Sequence, residues 1–551
     1  MIADPSNTMC FVTSQSFDKE SLPIQDPWYK VDFSREKYSD DLLAKMKKPT
    51  VADNGKKLDL PPVNNMLPKK FDILAADATI SAKPTLAHQW EETDLWVKKD
   101  DTFNKPKAII ACKIYTSDLY FGQTPKARVF ALMWQECLES LMQELKYSAE
   151  MAAMKFDLTL LRDNVNMQWS GFNDSLGVFV QESLKFMDSI RERDFKEVFE
   201  QVKAKKIQEL RSAYLQQTFR LAHSYIDTTL LEGGWEPSQI RELLEPFTYE
   251  QFKEMQAAWL KTGRMLWYVY GNIDKKTSIE TVEQARALLK ITGVPRDSLA
   301  DIRCIDVLPN TIQRIDFEVQ EKTNENSCLI TYFQHGLMGD GEEGLKNELL
   351  NQIVAQYMDE PFFNQLRTIE QLGYVVISRH KVVRDVLGYW VMVQSEKQGC
   401  SHLRNSMDKC LEEFREKVQK LSDEDFQKSR DSVLTTISEK VKNQNEAFAK
   451  DYGEIVHHRY QFDRQDHEIA MIKTLTKADF QAYYERFLFT ERKRIDMRWN
   501  SEKHKEEEEK TEFKLPEGKE RLHKNLPELK KAMGLYPDQV KVNHCSKAPK
   551  L

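Results

Sequence analysis

No stretch of the 551 residues approaches the roughly 18 uncharged apolar residues that a membrane span requires. The first fifteen residues lack the basic start and apolar core of a secretory signal. Glycine and proline are scarce, at 19 each, which excludes collagenous and low-complexity chains and favours helix. Positive charge is not in excess either. A formal net charge of -7 leaves no basic face of the kind nucleic-acid binding usually needs. The eight cysteines include no pair at CxxC spacing and read as reduced structural thiols, consistent with a cytoplasmic protein. At the C-terminus, Pro549-Lys550-Leu551 stands one residue from the Ser-Lys-Leu peroxisomal address, and the proline weakens it.

The usual catalytic signatures are missing as well. There is no GxSxG elbow, and no GxxxxGK[ST] loop to cradle a phosphate. Zinc peptidases place two histidines four residues apart on one helix face, in HExxH or HxxEH. None of the eleven histidines here has a partner at that spacing. His457, His458 and His467 are the one dense group, and without a helix-period pair or a cysteine they read as helix-surface residues. The sequence therefore predicts no metal site in this chain.

What is present is a helix-rich chain, 41% hydrophobic and 30% charged, long enough for two or three domains. Residues 1–80 read as an end piece and linker, with one short strand at Met9–Thr13. A first unit, 81–305, opens with a strand at Ala108–Ile114. Thr124 and Pro125 then supply an N-cap and N1 proline to a helix whose apolar face carries Phe130, Trp134, Leu138, Leu141 and Leu145. Alternation at Phe156–Leu160 and Val165–Trp169 predicts a hairpin turning at Arg162–Asn164. Helical patterns over 177–260 lead to a closing strand at Met265–Tyr270. A second unit, 306–500, repeats the order: strand Cys328–Phe333, helix Gly344–Tyr357, a two-stranded region Tyr374–Gln394, helices over 401–488 and strand Ile495–Trp499. Asp340, Glu342 and Glu343 suit the start of that first helix. The charge run Glu506–Glu509 in the remaining tail, 501–551, reads as solvated surface.

The repeat extends to residue identities. Laid without gaps, 246–272 and 474–500 share Thr248/Thr476, Phe252/Phe480, Leu260/Leu488, Thr262/Thr490, Arg264/Arg492 and Asn272/Asn500. Together with the element order, this predicts an internal duplication of two α+β units, each a sheet covered by helices on one face.

One segment carries more specific information. In Pro361–Tyr374, PFFNQLRTIEQLGY, the proline suits a first helical turn and Gly373 a C′ position. Arg367 then lies mid-helix and Tyr374 opens the next strand. Five guanidinium donors and one phenol can together hold a peptide carbonyl or a developing oxyanion. On chemistry alone, an Arg367–Glu370 pair and a buried Tyr374 are the simpler assignment.

That segment resembles the PxFNxLRTxEQLGY signature of the insulysin/pitrilysin-type zinc metallopeptidases. The likeness continues through LWVKKDDTFNKPKA (95–108), LKYSAEMAAMKFDL (145–158), WSGFNDSLGVF (169–179), VMVQSEK (391–397) and KDYGEI (450–455). The resemblance implies four homologous α+β domains in two bowl-shaped halves that close around a peptide. This chain would supply the third domain (81–305) and the fourth (306–500), preceded by the tail of a second. It implies that zinc, its HxxEH ligands and the water-activating glutamate belong to the N-terminal half. Arg367 and Tyr374 would reach the substrate near the scissile bond. Lys440 and Lys442 match part of a lysine-rich anion site of insulysins, and Asn443 departs from it. The function so implied is a non-zinc-binding half that positions extended peptides, paired with an N-terminal half in cis or trans. The alternatives are a pseudo-peptidase that only binds peptides, alone or as a homo-oligomer, and an assembly scaffold.

Overall fold

The computed structural model describes residues 4–47, 63–75, 82–116, 124–161, 163–295, 298–299, 302–338, 341–510 and 519–537. Asp340, the turn residue Arg162 and the terminal Pro549-Lys550-Leu551 lie outside them. The chain divides into two compact units, Met1–Asn64 and Asn65–Leu551. In the first, Ile24–Gln25 pairs antiparallel with Asp32–Phe33, and a helix spans Asp40–Lys47. Met9–Thr13 does not form the expected strand: it has no pairing partner among the described residues, and Phe11 and Val12 are exposed.

The second unit holds a seven-stranded and a six-stranded sheet that share a plan of six strands. Strands β1 (Thr85–Gln89), β2 (Thr93–Lys99), β3 (Lys107–Tyr115), β4 (Lys155–Leu160), β5 (Asn164–Phe172) and β6 (Thr262–Gly271) lie in the order β1-β2-β6-β3-β5-β4. Strands β7 (Ile312–Glu318), β8 (Ser327–Leu337), β9 (Val375–Val383), β10 (Val386–Ser395), β11 (Lys493–Asn500) and β12 (Glu520–His523) lie in the order β12-β7-β11-β8-β10-β9. The return strands β6 and β11 run parallel to β2 and β7 and antiparallel to β3 and β8. The outer pair differs, β1 being antiparallel to β2 and β12 parallel to β7, and the first sheet adds the short strand Thr292–Gly293 parallel to β6. The duplication inferred from residue identities is thus carried by topology.

Each sheet buries one face against helices of its own repeat. In the first these include α1 (Pro125–Leu141) and α2 (Asn173–Ser189). Thr124 caps α1 by accepting the Ala127 N–H at 3.2 Å, and Phe130, Trp134 and Leu138 face the core as their spacing predicts. The other face is covered too, and by the opposite repeat. Helix α3 (Thr218–Leu230), from the first repeat, lays Leu221, Ala222, Tyr225 and Ile226 on Ile330, Met497 and Trp499 of the second sheet. The first repeat's α4 (Tyr249–Ala258) then leads into β6, and the second repeat opens with α5 (Gly341–Phe362) and α6 (Cys400–Gln419) on its own face. Reciprocally, α7 (Gln444–Val456) lays Phe448 and Ile455 on Ile109, Ala111, Tyr268 and Tyr270 of the first sheet. Lys98 meets Asp451 at 2.7 Å across that seam, and Gln444 donates to Asp100 at 2.8 Å. The expectation of helices on one face only is corrected: an apolar second face would be unstable in water without this exchange.

The gapless match of the repeats also needs one correction. Helix α8 (Lys477–Glu485) and α4 start alike, Thr476 with Asp479 and Thr248 with Gln251 both closing capping boxes. Yet the residues of the return strand facing their own helices are Met265, Trp267 and Val269 in the first repeat and Arg494, Asp496 and Arg498 in the second. Counted from the caps, the second path is one residue longer. The π-helical turn Arg486–Thr490, which α4 lacks, takes up that residue, and a one-residue change reverses a strand's faces.

The tail beyond Asn500 is not simply solvated. The short helix α9 (Lys505–Lys510) brings Glu508 to Arg498, β12 extends the sheet, and α10 (Leu526–Ala532) buries Leu526 and Leu529. Among the described residues, no helix is long and apolar enough to cross a membrane.

Candidate functional site

The segment PFFNQLRTIEQLGY folds differently from the helix start its proline suggested. Helix α5 begins twenty residues earlier, at Gly341, with Glu342 and Glu343 in its first turn, and Pro361 lies inside its last turn. There the ring removes one N–H from the helical ladder. The chain continues as a π-helical stretch, Phe363–Ile369. This keeps Phe362 and Leu366 fully buried while Phe363, Arg367 and Ile369 stay at the rim. Two residues beyond its end, Gln371 takes a left-handed φ of 52°. At Gly373 a Cβ would overlap the Gln394 carbonyl of β10, so only glycine lets the chain pass so close before β9 begins at Val375.

This path stacks three side chains. The Arg367 guanidinium lies 4.7 Å from the Phe363 ring centroid and 5.7 Å from that of Tyr374. Tyr374 is 86% exposed. Among the described residues no carboxylate pairs with Arg367, and nothing hydrogen-bonds to the Tyr374 hydroxyl. Glu370, the partner that simple chemistry assigns to Arg367, accepts instead from Gln365 Nε2 at 2.9 Å. The result is a half-buried guanidinium near two rings, beside an exposed phenol, neither with a hydrogen-bond partner among the described residues. Phe363 was not singled out from sequence. Its place four residues before Arg367, on one helical face, was the available signal.

Two further features surround the stack. Strand β9 is the edge of its sheet, and β10 is its one partner among the described residues. Gln394, whose backbone abuts Gly373, accepts the Phe219 N–H at 2.8 Å, so the start of the exchanged helix α3 is anchored beside the site.

The lysines of the expected anion site do not converge. Both lie in the loop before α7. Lys440 is exposed, while the Lys442 ammonium bonds Glu439 at 2.8 Å and Glu439 holds that amine above its ordinary pKa. Asn443, where a lysine was expected, caps α7 by accepting the Glu446 N–H at 3.0 Å. A cavity of about 260 Å³ nearby is lined by Glu439, Asp451, Glu454 and Glu468 but only Lys450 and Arg464 as cations, a poor lining for an anion.

The histidine group is dispersed as well. His467 lies 3.6 Å from Asp463. His458 is not on the surface but buried, within 3.3 Å of the Tyr115 hydroxyl and 2.8 Å of that of Tyr460. No three histidine, cysteine or acidic side chains among the described residues stand together in a way that could hold a metal ion.

Comparison with known proteins gives consistent likenesses. Residues 3–243 match the family model "Middle or third domain of peptidase_M16", and residues 353–452 match "PQQ synthase PqqF-like, C-terminal lobe domain 4". The insulin-degrading enzyme of Homo sapiens is 26% identical over 486 residues, covering 88% of this chain and 46% of that enzyme. The A-factor-processing enzyme of Saccharomyces cerevisiae is 22% identical over 490 residues, with the same two coverages. The crystal structure of pitrilysin superposes with a TM-score of 0.80 at 18% identity, covering 94% of this chain and 53% of that one. A "peptidase M16 inactive domain" from Pseudomonas fluorescens superposes at 0.53 and 12% identity, over 75% of this chain and 96% of that one. The chain spans about half the length of the curated relatives it matches.

Proposed function

Because the chain belongs to the insulysin/pitrilysin type of M16 peptidases and corresponds to their C-terminal half, we propose that it closes a peptidase chamber and positions extended peptides for cleavage. Hydrolysis, with the zinc it requires, belongs to an N-terminal half in this reading. The observation that carries it is the Phe363–Arg367–Tyr374 stack, whose polar heads have no partner among the described residues. A buried structural role would leave them bonded. A half-buried cation and an exposed phenol, brought together by ring contacts, can hold a carbonyl oxygen and stabilise the negative charge that develops there.

Two observations support the rest. Strand β9 begins one residue after Tyr374, and its free edge can pair with the main chain of an extended peptide regardless of sequence. In the N-terminal unit, Asp26 accepts the N–H groups of Trp28 and Tyr29 and holds both rings 84% and 87% exposed at a hairpin turn. Rigidly presented Trp and Tyr are typical anchors of a protein interface, which suits a partner half.

The test joins this chain to a zinc-bearing N-terminal half and follows peptide hydrolysis. Tyr374→Phe keeps the ring and removes one donor. Its kcat is expected to fall about 10²–10³-fold with unchanged folding. Arg367→Ala should lower kcat/KM, and Arg367→Lys should not restore it, since a point charge lacks the planar fork. A stable Tyr374→Phe protein with near-normal kcat would remove Tyr374 from the site. A chain that binds peptides with no hydrolysis by any N-terminal half would favour the pseudo-peptidase reading.

A further inference from the structure

Helix α6 starts without a side-chain cap of its own, because its N-cap is Gly399. Side chains from elsewhere take the free amides of its first turn. Asn500 Oδ1 accepts from Cys400 N at 2.9 Å. Glu508 Oε1 accepts from Ser401 N at 2.6 Å, and Oε2 accepts from the Ser401 hydroxyl at 2.6 Å. The same carboxylate pairs with the Arg498 guanidinium. Arg498 is 1% exposed and also donates to Ser401 Oγ at 3.0 Å. Its Nε has no hydrogen-bond partner, the nearest carboxylate oxygen, on Asp316, being 3.6 Å away. A Cβ on Gly399 would overlap the Glu508 carboxylate, so the glycine leaves the notch open for it.

A backbone amide, a hydroxyl and a buried guanidinium thus converge at the positive end of a 20-residue helix. That is a donor set for an oxyanion. Its occupant is supplied by a six-residue helix, α9, outside both sheets. We propose that this notch is a binding site for a small oxyanion, phosphate- or carboxylate-bearing, and that Glu508 fills it as a displaceable plug. The inference does not depend on peptide cleavage.

The experiment uses the full chain and inorganic phosphate, with acetate as the carboxylate arm and sodium chloride at matched ionic strength as control. Glu508→Ala is expected to unfold at lower temperature than the native chain. Phosphate should raise its Tm saturably by roughly 2–4 °C beyond the chloride effect. Acetate acting where phosphate does not would assign the site to carboxylates, and acetate acting equally well to oxyanions of either kind. Arg498→Met combined with Glu508→Ala should abolish the recovery. No oxyanion-specific recovery, or recovery that survives the loss of Arg498, overturns the site. The native chain supplies a second measurement free of folding defects. Backbone hydrogen exchange at 505–510 should accelerate several-fold along a phosphate series, and unchanged exchange throughout overturns the plug.

Discussion

The two repeats solve one problem with opposite chemistry. Where the return strand meets its own helices, the first repeat packs Met265, Trp267 and Val269, with Trp267 and Trp169 stacked at 6.0 Å. The second repeat places Arg494, Asp496 and Arg498 there, all essentially inaccessible to solvent. Arg494 bonds Asp496 at 2.7 Å and also meets Asp408. Thr331 donates to Asp496 at 2.9 Å, and Arg404 lies 3.3 Å from it. Burial alone would raise the Asp496 carboxyl, but Arg494 and Arg404 hold it below the usual carboxylate range. A shared sheet topology therefore does not prescribe a hydrophobic interior. It requires that whatever is buried be matched, and the charged layer depends on geometry where the apolar one depends on area.

The comparison breaks most completely if the repeats are parted. Residues 65–305 made alone lose α7, and 306–537 lose α3, leaving Tyr268 and Tyr270 or Ile330 and Trp499 uncovered. Each piece is expected to be insoluble or to bind a hydrophobic dye, and coexpression should recover a soluble pair. Soluble, cooperatively folded single pieces would show that the exchange is dispensable.

Asp496→Ala leaves Arg494 and Arg404 buried with too few carboxylates, and should cost about 3–5 kcal/mol in denaturant unfolding. Replacing Arg494, Asp496 and Arg404 together with apolar residues of similar volume makes the second repeat resemble the first. That change should be neutral or stabilising. A single variant no worse than the triple one would mean the layer is not balanced as described.

Acid separates the repeats more mildly. Buried histidines occur in the second repeat and its tail, at 335, 458, 504 and 523, and none lies in the first sheet's own core. Burial pushes His335 down to about 3, with its Nδ1 3.0 Å from the Tyr483 hydroxyl. Its folded pKa lies below the unfolded value, so the unfolded chain takes up the proton first and stability falls as pH drops from about 6.5 toward 3. At pH 5 this amounts to about 2 kcal/mol. His335→Phe should flatten that part of the pH profile, and an unaltered slope would place the acid sensitivity elsewhere.

Much of this was legible in the sequence. Thr124-Pro125 announced α1, and alternation at 156–169 announced a hairpin, because caps and periodicity act locally. What depends on a distant partner was not. Met9–Thr13 has a strand's composition and no neighbour to pair with. Strand β12, Glu-Arg-Leu-His, has no apolar alternation and forms because β7 offers an edge. The apolar faces of α3 and α7 are plain in the residues, but nothing local says which sheet they cover. The π-turn's extra residue left the identities at 248–272 and 476–500 aligned while reversing the strand between them. Arg367 and Tyr374 were found through their motif. That neither has a hydrogen-bond partner among the described residues came only with coordinates.

The exchange of α3 and α7 also sets a timetable for a chain made from its N-terminus. The first sheet's central strands are complete at Gly271, but the helix that covers their outer face begins at Gln444, about 170 residues later. At roughly 5–20 residues per second the ribosome needs about 10–35 s to supply it. Helix α3 waits in the opposite sense, synthesised before β7 to β11 exist to receive it. During that interval Tyr268, Tyr270 and Ile109 face water on one side of a finished sheet. Surface of this kind is prone to aggregate, and a ribosome pause just ahead of residue 444 would prolong its exposure.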